Sequence, residues 1–180
     1  MNVMSRTQKL ATVNLYDELI KLRDQQRERR KKSILVVPGD ELPWEINPQG
    51  KMKWFLHPAI DDTAIQNLIV YLQEIPAGSF SGKLKCQGGV VVFVLEGKGH
   101  TVVDDVTFAW EAEDVVQLPI RPNGIIFQHF NDDPDRAAQL LCAEPNLAPV
   151  LGVDRGSGFE QLSEAREFKQ KSYGAGGKNG

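Results

Sequence analysis

From Gln66 to Ala143 the chain is a run of short apolar stretches cut by turn residues, and this pattern constrains the fold more than any other feature. Asn67–Ile75 ends at Pro76-Ala77-Gly78. Gly88-Gly89 opens Val90–Leu95, and Gly97-Lys98-Gly99 turns it into His100–Val103. Asp104-Asp105 separates that stretch from Val106–Trp110, and Val115–Pro119, Ile125–Phe130 and Ala137–Ala143 follow. Runs of four to nine residues rich in Val, Ile, Leu and Phe and bounded by Gly, Pro and Asp read as strands. Many of them at regular spacing predict a sandwich or small barrel. In Val90–Leu95 both alternating faces are apolar, Val90, Val92 and Val94 on one and Val91, Phe93 and Leu95 on the other. A strand with one wet face alternates with polar residues, so something is expected to cover the outside of this one, either the N-terminal segment or another subunit.

The flanks have a different character. Leu15, Leu19 and Leu22 recur at helical spacing among charged residues, which predicts an amphipathic helix from Asn14, a candidate N-cap, to Arg30. Ser33–Val37 reads as an extended leading strand. The stretch with Pro43-Trp44, Pro48-Gln49-Gly50 and Trp54–Pro58 reads as irregular, because its prolines and glycine interrupt any long element. Glu160–Lys169 is expected to form a short closing helix, followed by a glycine-rich tail. The expected organisation is an N-terminal helical segment over 1–33, a barrel with its leading strand and loop over 34–150, and a C-terminal helix and flexible tail over 151–180.

Residues 1–32 hold nine Lys/Arg against four Asp/Glu, and the rest of the chain holds twelve against twenty. A body this acidic argues against nucleic acid as a partner. The basic run Arg27–Lys32 reads as a solvated helix end, where cations suit the helix dipole. No apolar stretch reaches the roughly 20 residues needed to span a bilayer, and the N-terminus has no signal-peptide pattern. Cys86 and Cys142 read as buried free thiols. A cytoplasmic protein without a membrane partner is expected.

Two separated motifs carry a family resemblance. Ile75-Pro76-Ala77-Gly78 with Phe93-Val94-Leu95-Glu96-Gly97-Lys98-Gly99 resembles the first cupin motif, and Glu113–Pro119 with Gly124–Asn131 resembles the second. The resemblance implies an all-β cupin double-stranded β-helix, or jelly-roll, barrel with an N-terminal helix and a short C-terminal helix. Cupins commonly hold a divalent metal inside the barrel on a His-x-His pair, a carboxylate and a further histidine. Alternation places residues i, i+2 and i+4 of a strand on one face. Counted back from Glu96-Gly97, the His-x-His positions fall on Leu84 and Cys86, and the carboxylate falls on Val90 or its neighbour Val91. Ile126–Asn131 is similar to the second motif of gentisate-type ring-cleaving cupins, with Phe127 in place of the first histidine and His129 keeping the second. A nonheme iron site needs two histidines and a carboxylate, or three histidines. Leu84, Val90 and Phe127 have no donor atom, so no metal and no catalytic residue is expected in this chain. His57 and His100 read as surface or edge residues.

With the ligand positions erased in a cupin of this size, the chain resembles the small subunit of two-subunit hydroquinone 1,2-dioxygenases. That resemblance implies a noncatalytic subunit, no cofactor of its own, Fe(II) in a larger cupin subunit as partner, self-association in addition, and a small aromatic substrate for the complex. Two other readings stand beside it. One is a self-sufficient gentisate-like dioxygenase with an atypical site built on Cys86 and His129. The other is a metal-free cupin whose pocket, lined by Leu84, Cys86, Val90, Phe127 and His129, binds a small aromatic ligand. No serine-hydrolase elbow, phosphate loop, zinc-protease helix or Cys-x-x-Cys motif is present. The pairs Asp61-Asp62, Asp104-Asp105 and Asp132-Asp133 read as turn residues.

Overall fold

The computed structural model of the chain describes residues 5–146 and 159–169, which fall into two compact units. Residues 5–37 with 60–64 form the first. Ser5 caps α1 (Arg6–Ala11) in a reciprocal box with Gln8. Asn14 caps α2 (Leu15–Lys31), its Oδ1 accepting from the Tyr16 and Asp17 amides at 3.1 and 3.3 Å. Asp17 and Glu18 in the first turn and Arg29, Arg30 and Lys31 in the last follow the helix dipole. Neither helix buries a residue. The segment after α2 is not the leading strand expected there. Only Ile34 pairs, in a single parallel bridge to Thr63.

Residues 38–59, 65–146 and 159–169 form the second unit, two antiparallel sheets. The first has six strands in the order β1 (Glu45–Asn47), β2 (Gly50–Leu56), β3 (Leu68–Ile75), β10 (Ala138–Pro145), β5 (Val90–Glu96), β8 (Val115–Leu118). The second has five, in the order β11 (Phe159–Ser163), β4 (Lys83–Cys86), β9 (Ile125–Asn131), β6 (Lys98–Val103), β7 (Val106–Glu111). From β3 onward, consecutive strands other than β6 and β7 sit in different sheets, so most pairings are nonlocal. Where consecutive strands pair, the turn chemistry is visible. Asp104 and Asp105 join β6 to β7 with φ of 47° and 68°, the left-handed pair a tight hairpin needs.

Two expectations are corrected. The stretch from Pro43 to Pro58 is not irregular throughout, since β1 and β2 form a hairpin across Pro48-Gln49, with Gly50 at φ 130°. Glu160–Lys169 is not one helix. Residues 159–163 are a strand paired with β4, and only 166–169 are helical. The tail beyond 169 lies outside the described residues.

The core lies between the inner faces of the sheets. Met52, Tyr71, Ile75, Leu140, Cys142, Val90, Val92, Val94 and Leu118 come from one side, and Leu84, Ile125, Phe127, Val103 and Trp110 from the other. Trp110 is seated over Gly99, its partner across β6 and β7. A Cβ at Gly99 would stand 2.0 Å from the Phe130 carbonyl oxygen and 2.7 Å from the Trp110 ring. Gly99→Ala is therefore expected to lower stability by about 3 kcal/mol or more, at the upper end of overpacking costs. A urea unfolding midpoint equal to that of the parent would refute this account of the strand crossing.

Candidate functional site

The structure brings the expected residues to one core, from two facing sheets. Leu84 lies directly opposite Phe127 where β4 pairs with β9, and Cys86 lies opposite Ile125 on the same face. Val90 points inward from β5 in the facing sheet. Leu84, Val90, Phe127 and His129 are buried, and Cys86 is half-buried and packed against the core. The alternation that singled these positions out is thus the alternation of the barrel interior. Val91, the other position considered for the carboxylate, faces out and is 46% exposed.

His129 is held by two residues that no motif marked. The Trp110 Nε1–H donates to Thr101 Oγ1 at 3.0 Å, and Thr101 Oγ1 lies 2.7 Å from His129 Nδ1. An indole N–H only donates. The Thr101 hydroxyl accepts it, and among the described residues its hydrogen has no acceptor other than His129 Nδ1, which assigns the imidazole proton to Nε2. Burial pushes the His129 pKa down to about 4, so the ring is neutral at physiological pH. Its backbone is fixed as well, the amide donating to Ser81 Oγ at 3.0 Å. The Phe127 ring packs against the imidazole at 5.3 Å between centroids. Thr101 was findable in sequence only as an inward position two residues before Val103, and its partner stands 28 residues away.

The opposite end of the core holds a second group, Tyr71, Cys86, Cys142 and Glu144. Tyr71 is opposite Cys142 across β3 and β10. Burial, with Cys142 adding to it, raises the Tyr71 pKa well above that of an ordinary phenol. Burial carries the Cys142 thiol up to about 12 against a smaller opposing pull from Tyr71. The Cys86 thiol is raised by burial and by the Glu144 carboxylate, while the Gly88 amide that donates to its sulfur at 3.3 Å opposes the rise. Burial raises Glu144 too. Period-2 counting from Leu140 through Cys142 would have placed Glu144 on the inner face.

These residues do not fit a nonheme iron site. Leu84, Val90 and Phe127 offer no donor. Cys86 offers a single thiol. His129 has its Nδ1 lone pair engaged by Thr101. Among the described residues no three His, Cys, Asp or Glu side chains stand close enough to hold a metal ion. The other two histidines sit elsewhere. His100 Nδ1 lies 2.8 Å from the Asp132 carboxylate with its ring stacked on Phe130. His57 Nδ1 accepts from the Ala59 amide and its ring meets Trp54 edge-on. Cys86 and Cys142 are both free thiols.

No helix among the described residues is long and apolar enough to cross a membrane. No family model matches the chain, and no curated protein matches it. Solved structures do. The polyketide cyclase RemF from Streptomyces resistomycificus superposes with a TM-score of 0.55 at 11% identity, over 78% of this chain and 93% of that one. A salicylate 1,2-dioxygenase from Pseudoaminobacter salicylatoxidans, in complex with gentisate, gives 0.50 at 16% identity, over 67% of this chain and 31% of that one. A cupin-like protein from Thermotoga maritima gives 0.47 at 18% identity, over 71% and 93%. At these identities the likeness is one of fold. With two facing antiparallel sheets, nonlocal strand pairing and the inward positions of both motifs meeting in one core, the chain has the cupin jelly-roll fold.

Proposed function

We propose that this chain is the noncatalytic subunit of a nonheme Fe(II) aromatic ring-cleaving dioxygenase of the hydroquinone 1,2-dioxygenase type, working beside a larger cupin subunit that holds the iron. One observation carries the reading. The inward positions to which the motif resemblance assigns metal ligands are Leu84, Cys86, Val90 and Phe127, and they are spent on packing. Among the described residues no three ligating side chains converge there, which supports a scaffolding contribution. The substrate class rests on the likeness of Ile126–Asn131 to the second motif of gentisate-type enzymes.

The test is reconstitution. Purified alone, loaded with Fe(II) anaerobically and then assayed in air-saturated buffer, the chain is expected to retain no stoichiometric iron and to turn over neither hydroquinone nor gentisate. Turnover is expected only after a larger, iron-bearing cupin subunit is added. Iron-dependent ring cleavage by the lone chain, abolished by His129→Ala, would overturn the proposal in favour of a self-sufficient enzyme. A small aromatic compound retained by the lone chain, with no effect of any cupin partner, would replace it with a metal-free binding barrel.

A further inference from the structure

Two apolar surfaces of this chain are left uncovered, and their charges are complementary. On α2 the stripe Leu15, Leu19 and Leu22 is 61%, 62% and 53% exposed, and no residue of the helix is buried. A helix of this length draws most of its stability from packing an amphipathic face. On the six-stranded sheet, Val91, Phe93 and Leu95 of β5 and Val115 of β8 are exposed. Phe93 lies directly between Val115 and Leu141 in the strand register, so these side chains form one continuous outer ladder.

The charges extend the match. The Glu113 amide donates to the Val94 carbonyl and the Val94 amide to the Asp114 carbonyl, which fixes the acidic turn at the Leu95 end of the ladder, where Glu96 also stands. Glu96, Glu111 and Glu113 have no ion pair among the described residues. On the helix, Arg29 and Arg30 continue the face of Leu22 beyond the apolar stripe. Arg29, Arg30 and Lys32 likewise have no ion pair among the described residues. The lengths agree as well. Leu15 to Leu22 spans about 10 Å of helix, and Val91 to Leu95 about 13 Å of strand. Laid along β5 with Leu15 over Val91, the helix sets its leucines on the ladder and carries its basic end onto the acidic turn.

We propose that α2 of one copy of this chain docks on the outer face of β5 and β8 of a second copy, leucines on the Val91–Phe93–Leu95–Val115 ladder and Arg29 and Arg30 on Glu96 and Glu113. The inference concerns the lone chain and stands independently of the dioxygenase reading. Its test is charge exchange between full-length chains, read as molecular mass by light scattering and sedimentation across a range of concentrations. The parent is expected to self-associate. Leu19→Glu and Phe93→Glu are each expected to raise the dissociation constant about thirtyfold or more, the loss typical of a central interface residue. A chain carrying Arg29→Glu and Arg30→Glu, and another carrying Glu96→Lys and Glu113→Lys, should each weaken association alone and associate when mixed. Circular dichroism and unfolding of each variant separate loss of docking from loss of fold. A parent monomeric at all concentrations would overturn the proposal. So would association that Phe93→Glu breaks but the helix changes leave intact, because the ladder would then meet another sheet, and so would charge-exchanged chains that fail to combine.

Discussion

Acidification from pH 7 to below pH 4 is expected to cost the parent roughly 3 kcal/mol of stability that a His129→Gln variant does not lose. The His129 pKa is lowered to about 4 in the folded chain, by burial alone, from an ordinary 6.5. With the folded value depressed, the unfolded chain binds the proton first. Stability is therefore fully present above about pH 6.5 and falls as the pH drops towards 4. A shift of this size corresponds to roughly 3 kcal/mol once both states are protonated. Glu144 runs the other way, since burial raises its pKa and the folded chain takes up that proton early. The difference between parent and variant isolates the histidine from that opposing change. Gln suits the comparison because its amide oxygen can accept the Thr101 hydroxyl that now serves Nδ1 at 2.7 Å. Urea unfolding from pH 7 to below pH 4 measures both chains. Parallel pH profiles would mean that the imidazole is hydrated or charged in the folded state, and would remove the Trp110–Thr101–His129 arrangement from the account.

That arrangement also marks where reading from sequence stops. β5 is visible as Val90–Leu95 and β10 as Ala137–Ala143, because apolar runs between turn residues are local signals. The shared face of Leu84 and Cys86 follows from alternation within one strand, and so does that of Phe127 and His129. What alternation cannot supply is which strand lies beside which. Thr101 reaches His129 only because β6 pairs with β9, a relation with no trace in either stretch. β11 shows the limit differently. Phe159–Ser163 and the residues after it are rich in Glu, Gln, Leu, Ala and Arg and read as helical. Pairing Phe159 with Cys86 and Glu160 with Lys85 places these residues at the β4 edge of the five-stranded sheet, and that tertiary gain overrides local preference. In the β1–β2 hairpin, Pro48 and Gly50 do break regular structure, but only once, between two strands.

The largest expected effect is a gain of function in the barrel. Replacing Leu84, Cys86 and Phe127 by histidine is expected to take the chain from no specific zinc binding to a three-histidine site. Leu84 and Phe127 are direct cross-strand partners, which sets their Cβ atoms about 5 Å apart. Cys86 follows Leu84 by two residues and shares its face. Three imidazoles on one inner face with a position left open form the ligand set of a catalytic zinc centre. Without metal the variant should be less stable than the parent, since three polar rings then displace packed or half-packed side chains. Zinc at about a thousand times its dissociation constant should return about 4 kcal/mol, read as a rise in Tm that the parent does not show. Where the triple variant does not fold, Leu84→His with Phe127→His tests the same geometry, with Cys86 as third ligand once the metal lowers its pKa. Either folded variant responding to zinc would show that the scaffold still presents ligand positions and that only side-chain identity removed the metal. Folded variants of both designs with no zinc-dependent change in Tm would mean that these three positions do not converge, and the argument that this barrel is an emptied metal site would fail with them.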